Sequence, residues 1–329
     1  MDPTPTLPPP PDLDVVLAAS RTARAIRRSV ARDELHRIRR GAYATQAAAE
    51  GAGRAARRRA WERIAAVHAQ LRIPFVFSHE SAALVWGLDA VRLSGRTHIV
   101  QSSRPSTRND PLVVRHVVDL PAEQRTVWHG FPVTTLARTV VDCACTLPGD
   151  AALVVADCAA RAGLDPEDVG RLLSRARGRR GVVGARTVLE RTDPGAATPG
   201  ESLTRWALLD AGLPRPETQV PVATRLGSFV VDIGWRERRV GVEFDGQVKY
   251  SGAFGDTSTG AVFAEKRRQD ALEERGWRLL RVTWQDLRTP ADIAARAARL
   301  LRGPASSALG CRTRCRTRGR RRGRVQLGA

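Results

Sequence analysis

Val240-Gly241-Val242-Glu243-Phe244-Asp245-Gly246-Gln247-Val248-Lys249-Tyr250 carries the pattern on which the reading of the whole chain turns. With a strand's period of two, Val240, Val242 and Phe244 share one face, and Glu243 and Asp245 share the other. Two carboxylates about 7 Å apart on one strand face can hold a hard divalent cation. Asp245-Gly246 then provides a turn, and Lys249 follows it. The preceding strand candidate, residues 228–235, groups Phe229, Val231, Ile233 and Trp235 on one face and leaves Asp232 on the opposite one. An acid facing an acid pair, with a lysine nearby, is the set that metal-assisted phosphodiester cleavage uses. The metal polarises a phosphoryl oxygen and lowers the pKa of the attacking water, while the ammonium stabilises the developing negative charge.

The order Asp232, Glu243-x-Asp245-Gly246, a helix, and the strand Gly276-Trp277-Arg278-Leu279-Leu280-Arg281-Val282-Thr283-Trp284 resembles the very-short-patch-repair-like endonucleases of the PD-(D/E)xK superfamily. The resemblance spans residues 199–288. It implies a restriction-endonuclease-like mixed sheet flanked by helices, with Mg2+ (or Mn2+) at the strand edge. The implied metal ligands are Asp232, Glu243 and Asp245, joined by Glu201 from the preceding helix in Gly200-Glu201-Ser202-Leu203. One departure stands out: the family's Glu-x-Lys is here Glu243-Phe244-Asp245, so the catalytic lysine has to come from elsewhere. The chain holds 54 basic residues, yet only Lys249 and Lys266 are lysines, and both lie in this segment. Lysine is a compact charge whose pKa can shift, which arginine's cannot, so its retention here points to chemistry. On a helix over residues 261–275, Ala261, Ala264, Glu265, Arg268, Ala271 and Leu272 form one stripe. Lys266 falls off that stripe, on a solvated face. Lys249 is therefore the first choice for the catalytic lysine and Lys266 the second, with Arg268 as a phosphate clamp.

Charge agrees with a polyanionic partner. The formal net charge is +20, and the tail after Arg302 contributes eight arginines and no acids. DNA is the leading partner class. Cys143, Cys145 and Cys158 lie in apolar stretches and read as small buried hydrophobes. Cys311 and Cys315 sit in the arginine tail without the further ligands of a zinc site. The six histidines, at 36, 68, 79, 98, 116 and 129, show no metal-ligand spacing. The proline-rich start lacks a signal-peptide pattern, and no apolar run reaches membrane length, so a cytoplasmic protein with no membrane association is expected.

The first third of the chain supplies a second set of motifs. Residues 12–19 read as a short helix, and Ser20 as the N-cap of a basic helix over residues 21–31 that carries Arg24, Arg27 and Arg28. Arg37-Ile38-Arg39-Arg40-Gly41-Ala42-Tyr43 follows as a basic strand pair. A basic helix followed by such a pair outlines a winged helix-turn-helix. This segment resembles the N-terminal domain of AbiEi-type antitoxins of type IV toxin–antitoxin systems. Arg24, Arg27, Arg28, Arg37, Arg39 and Arg40 are its DNA-binding candidates, and a cognate toxin is an implied partner. The Ser78-His79-Glu80-Ser81-Ala82-Ala83 and Pro132-Val133-Thr134 elements resemble the same family's middle region, where His79-Glu80 reads as a helix cap.

The expected class is α/β (α+β) with five segments. These are a leader (1–11), a winged-helix-like head (12–46), a mixed α/β middle region (47–195), the nuclease-like domain (196–302) and an arginine-rich disordered tail (303–329). Asp193-Pro194-Gly195 through Gly200 reads as a linker by composition. Two functions fit this organisation. One is a DNA-directed, Mg2+-dependent endonuclease in defence or repair. The other is a non-enzymatic, antitoxin-like repressor in which the nuclease fold serves as a scaffold.

Overall fold

The computed structural model describes residues 7–11, 14–47, 51–104, 110–246 and 259–303. Its strands form three sheets with helices packed on them, a mixed α/β architecture. The first sheet has order β1-β3-β2 and is antiparallel: β1 (Val15–Leu17), then α1 (Ala23–Ala31), β2 (Leu35–Arg39) and β3 (Ala42–Thr45). Gly41, at φ 77°, makes the turn between β2 and β3. Residues 15–17 are strand rather than the expected helix, because the β-branched Val15 and Val16 pair with Ala44 and Tyr43 of β3. The Ser20 hydroxyl donates to the Leu17 carbonyl, and Thr22 takes the capping role, accepting from the Ala25 N–H at 3.2 Å. Residues 14–47 hold one α-helix among the described residues. The second helix against this sheet is α2 (Ala52–Gln70), whose Ala66 packs among Ile38, Ala42 and Ala44. A boundary at residue 46 thus cuts through a packed unit.

The middle sheet is mixed, in order β6-β5-β4-β8-β7. In chain order its elements are β4 (Val76–Phe77), α3 (His79–Val85), β5 (Thr97–Gln101), β6 (Val113–Val117), β7 (Arg125–Trp128) and β8 (Phe131–Thr134). Four helices follow without a further strand: α4 (Leu136–Thr146), α5 (Gly149–Arg161), α6 (Pro166–Arg175) and α7 (Val182–Glu190). Phe77, Val85, Ile99, Val133, Val140 and Leu153 are buried in one core between sheet and helices. Cys143 and Cys158 lie in that core as expected of small hydrophobes, with burial pushing both thiols up.

The last sheet has order β12-β11-β10-β9. Helix α8 (Pro199–Asp210) precedes an antiparallel run of β9 (Glu217–Thr224), β10 (Gly227–Trp235) and β11 (Val240–Asp245). Helix α9 (Thr259–Glu274) then crosses over to β12 (Arg278–Thr283), parallel to β11, and α10 (Pro290–Arg302) closes the unit. Leu208, Ile233, Val240, Val242, Val282 and Ile293 form the core on the α8 and α10 side. Val220, Val222, Val231, Leu272 and Trp277 form the core on the α9 side.

Two expectations change here. Strict alternation put Val231 and Ile233 on one face, yet they occupy opposite layers. The alternation breaks at Asp232. The β9–β10 register runs through Val231↔Val220 and resumes at Ile233↔Thr218, so the unpaired position sets Asp232 against Gln219, whose φ is 50°. Residues 193–200 are also not a loose linker. The Asp193 N–H donates to Asp157 at 2.8 Å, its carboxylate accepts from Gly195 N–H and the Thr218 hydroxyl at 2.9 Å each, and Ala196 is fully buried. Beside this turn, the wholly buried Arg205 of α8 donates to the Asp157 carboxylate of α5 at 2.8 Å and to the Arg191 carbonyl at 2.7 Å. The middle and last units are thereby joined through charges withdrawn from water.

Arg205→Ala leaves Asp157 buried without its cation, so it is expected to destabilise the chain by about 3–5 kcal/mol in urea unfolding. Replacing both partners by apolar residues (Arg205→Met with Asp157→Leu) is expected to recover only part of that loss, because the Asp193 N–H and the Arg191 carbonyl lose their partners. A loss below about 1 kcal/mol for the single variant would show that this pair does not hold the junction together.

Candidate active site at the parting of two strands

Strands β10 and β11 pair from Trp235↔Val240 to Ile233↔Val242. One step further, the Phe244 N–H donates not to a strand carbonyl but to the Asp232 carboxylate, at 2.9 Å. A buried N–H requires an acceptor, and the side chain supplies one where the backbone ladder ends. Desolvation raises the Asp232 carboxyl to about 6; the Phe244 hydrogen bond and Arg268 oppose this, while the negative charges of Glu201 and Glu243 add to it. Three carboxylates thus sense one another at the point where the strands part.

Glu243 is 8% exposed, and Arg268 of α9 grips both of its oxygens, at 2.5 and 3.1 Å. The same guanidinium reaches the Val230 carbonyl at 3.0 Å and lies over the Phe229 ring at 5.8 Å. The helical stripe therefore aims Arg268 at the sheet as its spacing predicts, and Ala271 and Leu272 on that stripe are buried. Glu265 pairs with Arg281 of β12. Lys266 is exposed. Asp245 is exposed at the end of β11. Lys249, the first-choice lysine, lies outside the described residues.

Glu201 has a structural duty that its sequence context announces. Thr198-Pro199-Gly200-Glu201 is a capping box: the Thr198 hydroxyl accepts from Glu201 N–H at 3.3 Å and donates to the Glu201 carboxylate at 2.8 Å. The other carboxylate oxygen accepts from Ala197 N–H at 2.9 Å and from the Gln219 amide at 3.2 Å. Gln219 is the residue facing Asp232 across the break, so the cap, the kink and the site acid are linked. Helix α8 comes close to the strand because Gly200 has no side chain; a Cβ there would fall inside the Phe244 ring's van der Waals envelope.

The DNA-binding candidates divide into two groups. Arg24, Arg27 and Arg28 are exposed on α1, and Arg37 and Arg40 are exposed on and beside β2. Arg39 departs from expectation. It pairs with Asp110 at 2.5 Å and its side chain is mostly covered, so it ties the first sheet to the middle unit rather than facing a phosphate backbone.

The histidines hold a grouping that linear spacing does not show. His79, His98 and His116, from α3, β5 and β6, each present a donor atom within 4.8 Å of the others. Among the described residues they form the cluster of three metal-ligating side chains that meets this limit. Burial first, then mutual repulsion, drives His79 down to about 2 and His98 to about 4, and burial lowers His116 as well. Only the adjacency of β5 and β6 in a parallel pair brings residues so distant in sequence together, so no spacing rule could find them.

No family model matches the chain. Two proteins of Mycobacterium tuberculosis, described as uncharacterized proteins MT2308 (strain CDC 1551 / Oshkosh) and Rv2248 (strain ATCC 25618 / H37Rv), are each 30% identical to it over 224 residues. The match covers 67% of this chain and 79% of each relative.

Gly200→Ala is expected to cost about 1–3 kcal/mol by forcing Phe244 aside, read by chemical denaturation. Gly246→Ala, whose added methyl meets nothing closer than 3.5 Å, is the control and is expected to change stability by less than ~0.5 kcal/mol. Equal effects from the two would contradict the close helix–strand approach.

Proposed function

The chain belongs to the same family as these mycobacterial proteins, and from its own residues we propose that it acts on DNA, cleaving phosphodiester bonds with a divalent metal ion. The observation that carries this reading is the cluster of Asp232, Glu243 and Glu201 where β10 and β11 part, with Asp232 raised to about 6 partly by its acidic neighbours. The three acids do not bring their oxygens within 4.8 Å of one another as the three histidines do, so a hard cation such as Mg2+ (or Mn2+) would draw them together, and its charge would offset the repulsion felt at Asp232. Asp232 and Glu243, with Glu201 and Asp245, are the residues that would hold it. Such an ion, when bound, polarises a phosphoryl oxygen and lowers the pKa of the attacking water.

The remaining roles fall to the chain's own groups. The Phe244 N–H fixes the Asp232 carboxylate. Arg268 neutralises Glu243 and has the planar fork that suits phosphate oxygens, so it is assigned the phosphate clamp. Lys249 is assigned the stabilisation of charge at phosphorus, with Lys266 as the second choice. The mixed sheet between α8, α9 and α10 supports the likeness to very-short-patch-repair-like endonucleases of the PD-(D/E)xK superfamily. The exposed Arg24, Arg27, Arg28, Arg37 and Arg40 support a DNA-gripping head of the AbiEi antitoxin kind. No helix among the described residues is long and apolar enough to cross a membrane.

One observation favours the second reading, an antitoxin-like repressor that pairs with a cognate toxin. Arg268 already occupies both oxygens of Glu243, leaving that acid neutralised without a metal.

Supercoiled-plasmid nicking separates the two. Nicking that requires Mg2+ or Mn2+ and falls at least about 100-fold in Asp232→Ala is expected of the nuclease. Absent nicking, with tight duplex binding retained, would leave the repressor, and metal-independent nicking would overturn the metal-ion reading. Arg40→Ala is expected to weaken duplex association and reduce the salt slope by about 1 without altering cleavage once DNA is bound. An unchanged affinity and slope would remove the head from the interface.

A further inference from the structure

We propose that His79, His98 and His116 form a transition-metal site of the Zn2+ class in the middle unit, with its fourth coordination position open to an anion. The site is separate from the carboxylate cluster, and the argument is independent of the proposed nuclease reading.

The geometry supports it. Imidazole nitrogens about 2.0–2.1 Å from a tetrahedral Zn2+ lie roughly 3.3 Å from one another. His98 Nδ1 and His116 Nε2 are 3.2 Å apart, and all three donor atoms fall within 4.8 Å of one another. His79 Nδ1 is engaged by the Ser78 hydroxyl at 3.0 Å, which leaves Nε2 to face a metal. His98 Nε2 is buried with no hydrogen-bond partner, and Glu80 Oε1 stands 3.9 Å from it. A metal-bound histidine commonly donates its second ring N–H to a carboxylate, and Glu80 is placed to close that distance. The rings are stacked, so the metal-bound form turns His79 or His116 about its side-chain torsions until the lone pairs meet at one point. The His79 and His116 rings lie 3.9 Å apart at 15°, and the His79 backbone is held at φ 53° in the first turn of its helix.

The surroundings specify the fourth ligand. His79 and His116 line a cavity of about 600 Å³ whose wall includes Arg138, Arg175, Arg177 and Arg179. Arg138 and Arg179 both donate to the buried Asp142, at 2.9 and 2.7 Å, so that acid is already shared between two cations. A dication with three neutral imidazoles adds positive charge to a cavity already rich in it. An anion on the open position restores the balance, and a phosphate-type oxyanion suits the arginine forks around it. Three protein ligands with one open position is the arrangement of a catalytic rather than a purely structural zinc centre.

The full chain carrying Cys311→Ser and Cys315→Ser, which removes the tail thiols as ligands, is titrated with Zn2+ by calorimetry and with Co2+ by visible absorption. One equivalent should bind, and Co2+ should show the intense absorption of a tetrahedral site rather than the weak absorption of oxygen-ligated octahedral Co2+. His98→Asn and His116→Asn should each weaken uptake by about 100-fold or more, whereas His129→Asn, outside the cluster, should leave it unchanged. Should the cluster variants fail to fold, zinc X-ray absorption on the chain that retains its histidines decides the matter: scattering from three imidazoles supports the site, and oxygen-only ligation overturns it. No saturable uptake, or uptake indifferent to the histidine substitutions, also overturns it. Inorganic phosphate should shift the Co2+ spectrum, and a spectrum unmoved at saturating phosphate would contradict the open position.

Discussion

The hydrogen bond from the Phe244 N–H to the Asp232 carboxylate is the constraint on which the C-terminal unit is built. Where β10 and β11 cease to pair through their backbones, the stranded N–H finds its acceptor in a side chain. That substitution lets the strands diverge without leaving an amide unsatisfied. It also turns β10 so that Val231 joins the α9 layer while Ile233 joins the layer of α8 and α10. The carboxylate is thereby held out of water, where burial first and the charges of Glu201 and Glu243 next make its ionisation costly. The opposite side of the break is fixed too: Gln219 adopts a left-handed conformation and ties its amide to Glu201. A capping box, a kinked strand and an acid cluster are thus one structure.

A second polar device joins this unit to the middle of the chain. Arg205 and Asp157 are both inaccessible to water, and Arg191 and Asp193 complete the set of partners. Such a pair contributes little net stability compared with apolar packing, because desolvating each ion costs several kcal/mol (roughly 3 or more) before their attraction repays it. Its contribution is to the geometry of the junction. The Asp157 and Asp193 hydrogen bonds set the turn that feeds α8, and α8 in turn presents Gly200 to Phe244. The acid cluster therefore depends on groups from α5 as well as on its own sheet.

Much of this was legible in the sequence where a feature is local. The strand over residues 240–245 reads from its alternating Val, Val and Phe, and the helix over 136–146 reads from Thr135 at its cap. The stripe on α9 correctly turns Arg268 to the sheet and Lys266 to solvent. What periodicity could not show arises from tertiary pairing. A period of two assumes an unbroken ladder, so the reversal at Asp232 is invisible to it. Residues 15–17 become strand because β3 offers an edge to the β-branched Val15 and Val16, and that edge is a tertiary feature a local reading does not contain. Proline and glycine made residues 193–200 look like a linker, although Asp193 binds them firmly. The histidine cluster needs β5 beside β6 before it exists at all. The capping box at Thr198–Glu201 was present in the sequence, and it gives Glu201 a structural role at the helix start whatever else the acid does.

The proposed reaction requires Asp232 and Glu243 to act together as ligands of one hard cation. An anomalous-difference map from crystals soaked in Mn2+ examines this most directly. A peak between the carboxylates of Asp232 and Glu243 is expected, with Arg268 drawn off at least one Glu243 oxygen. A map with no density between those two carboxylates and Arg268 still bound to both oxygens of Glu243 would contradict it.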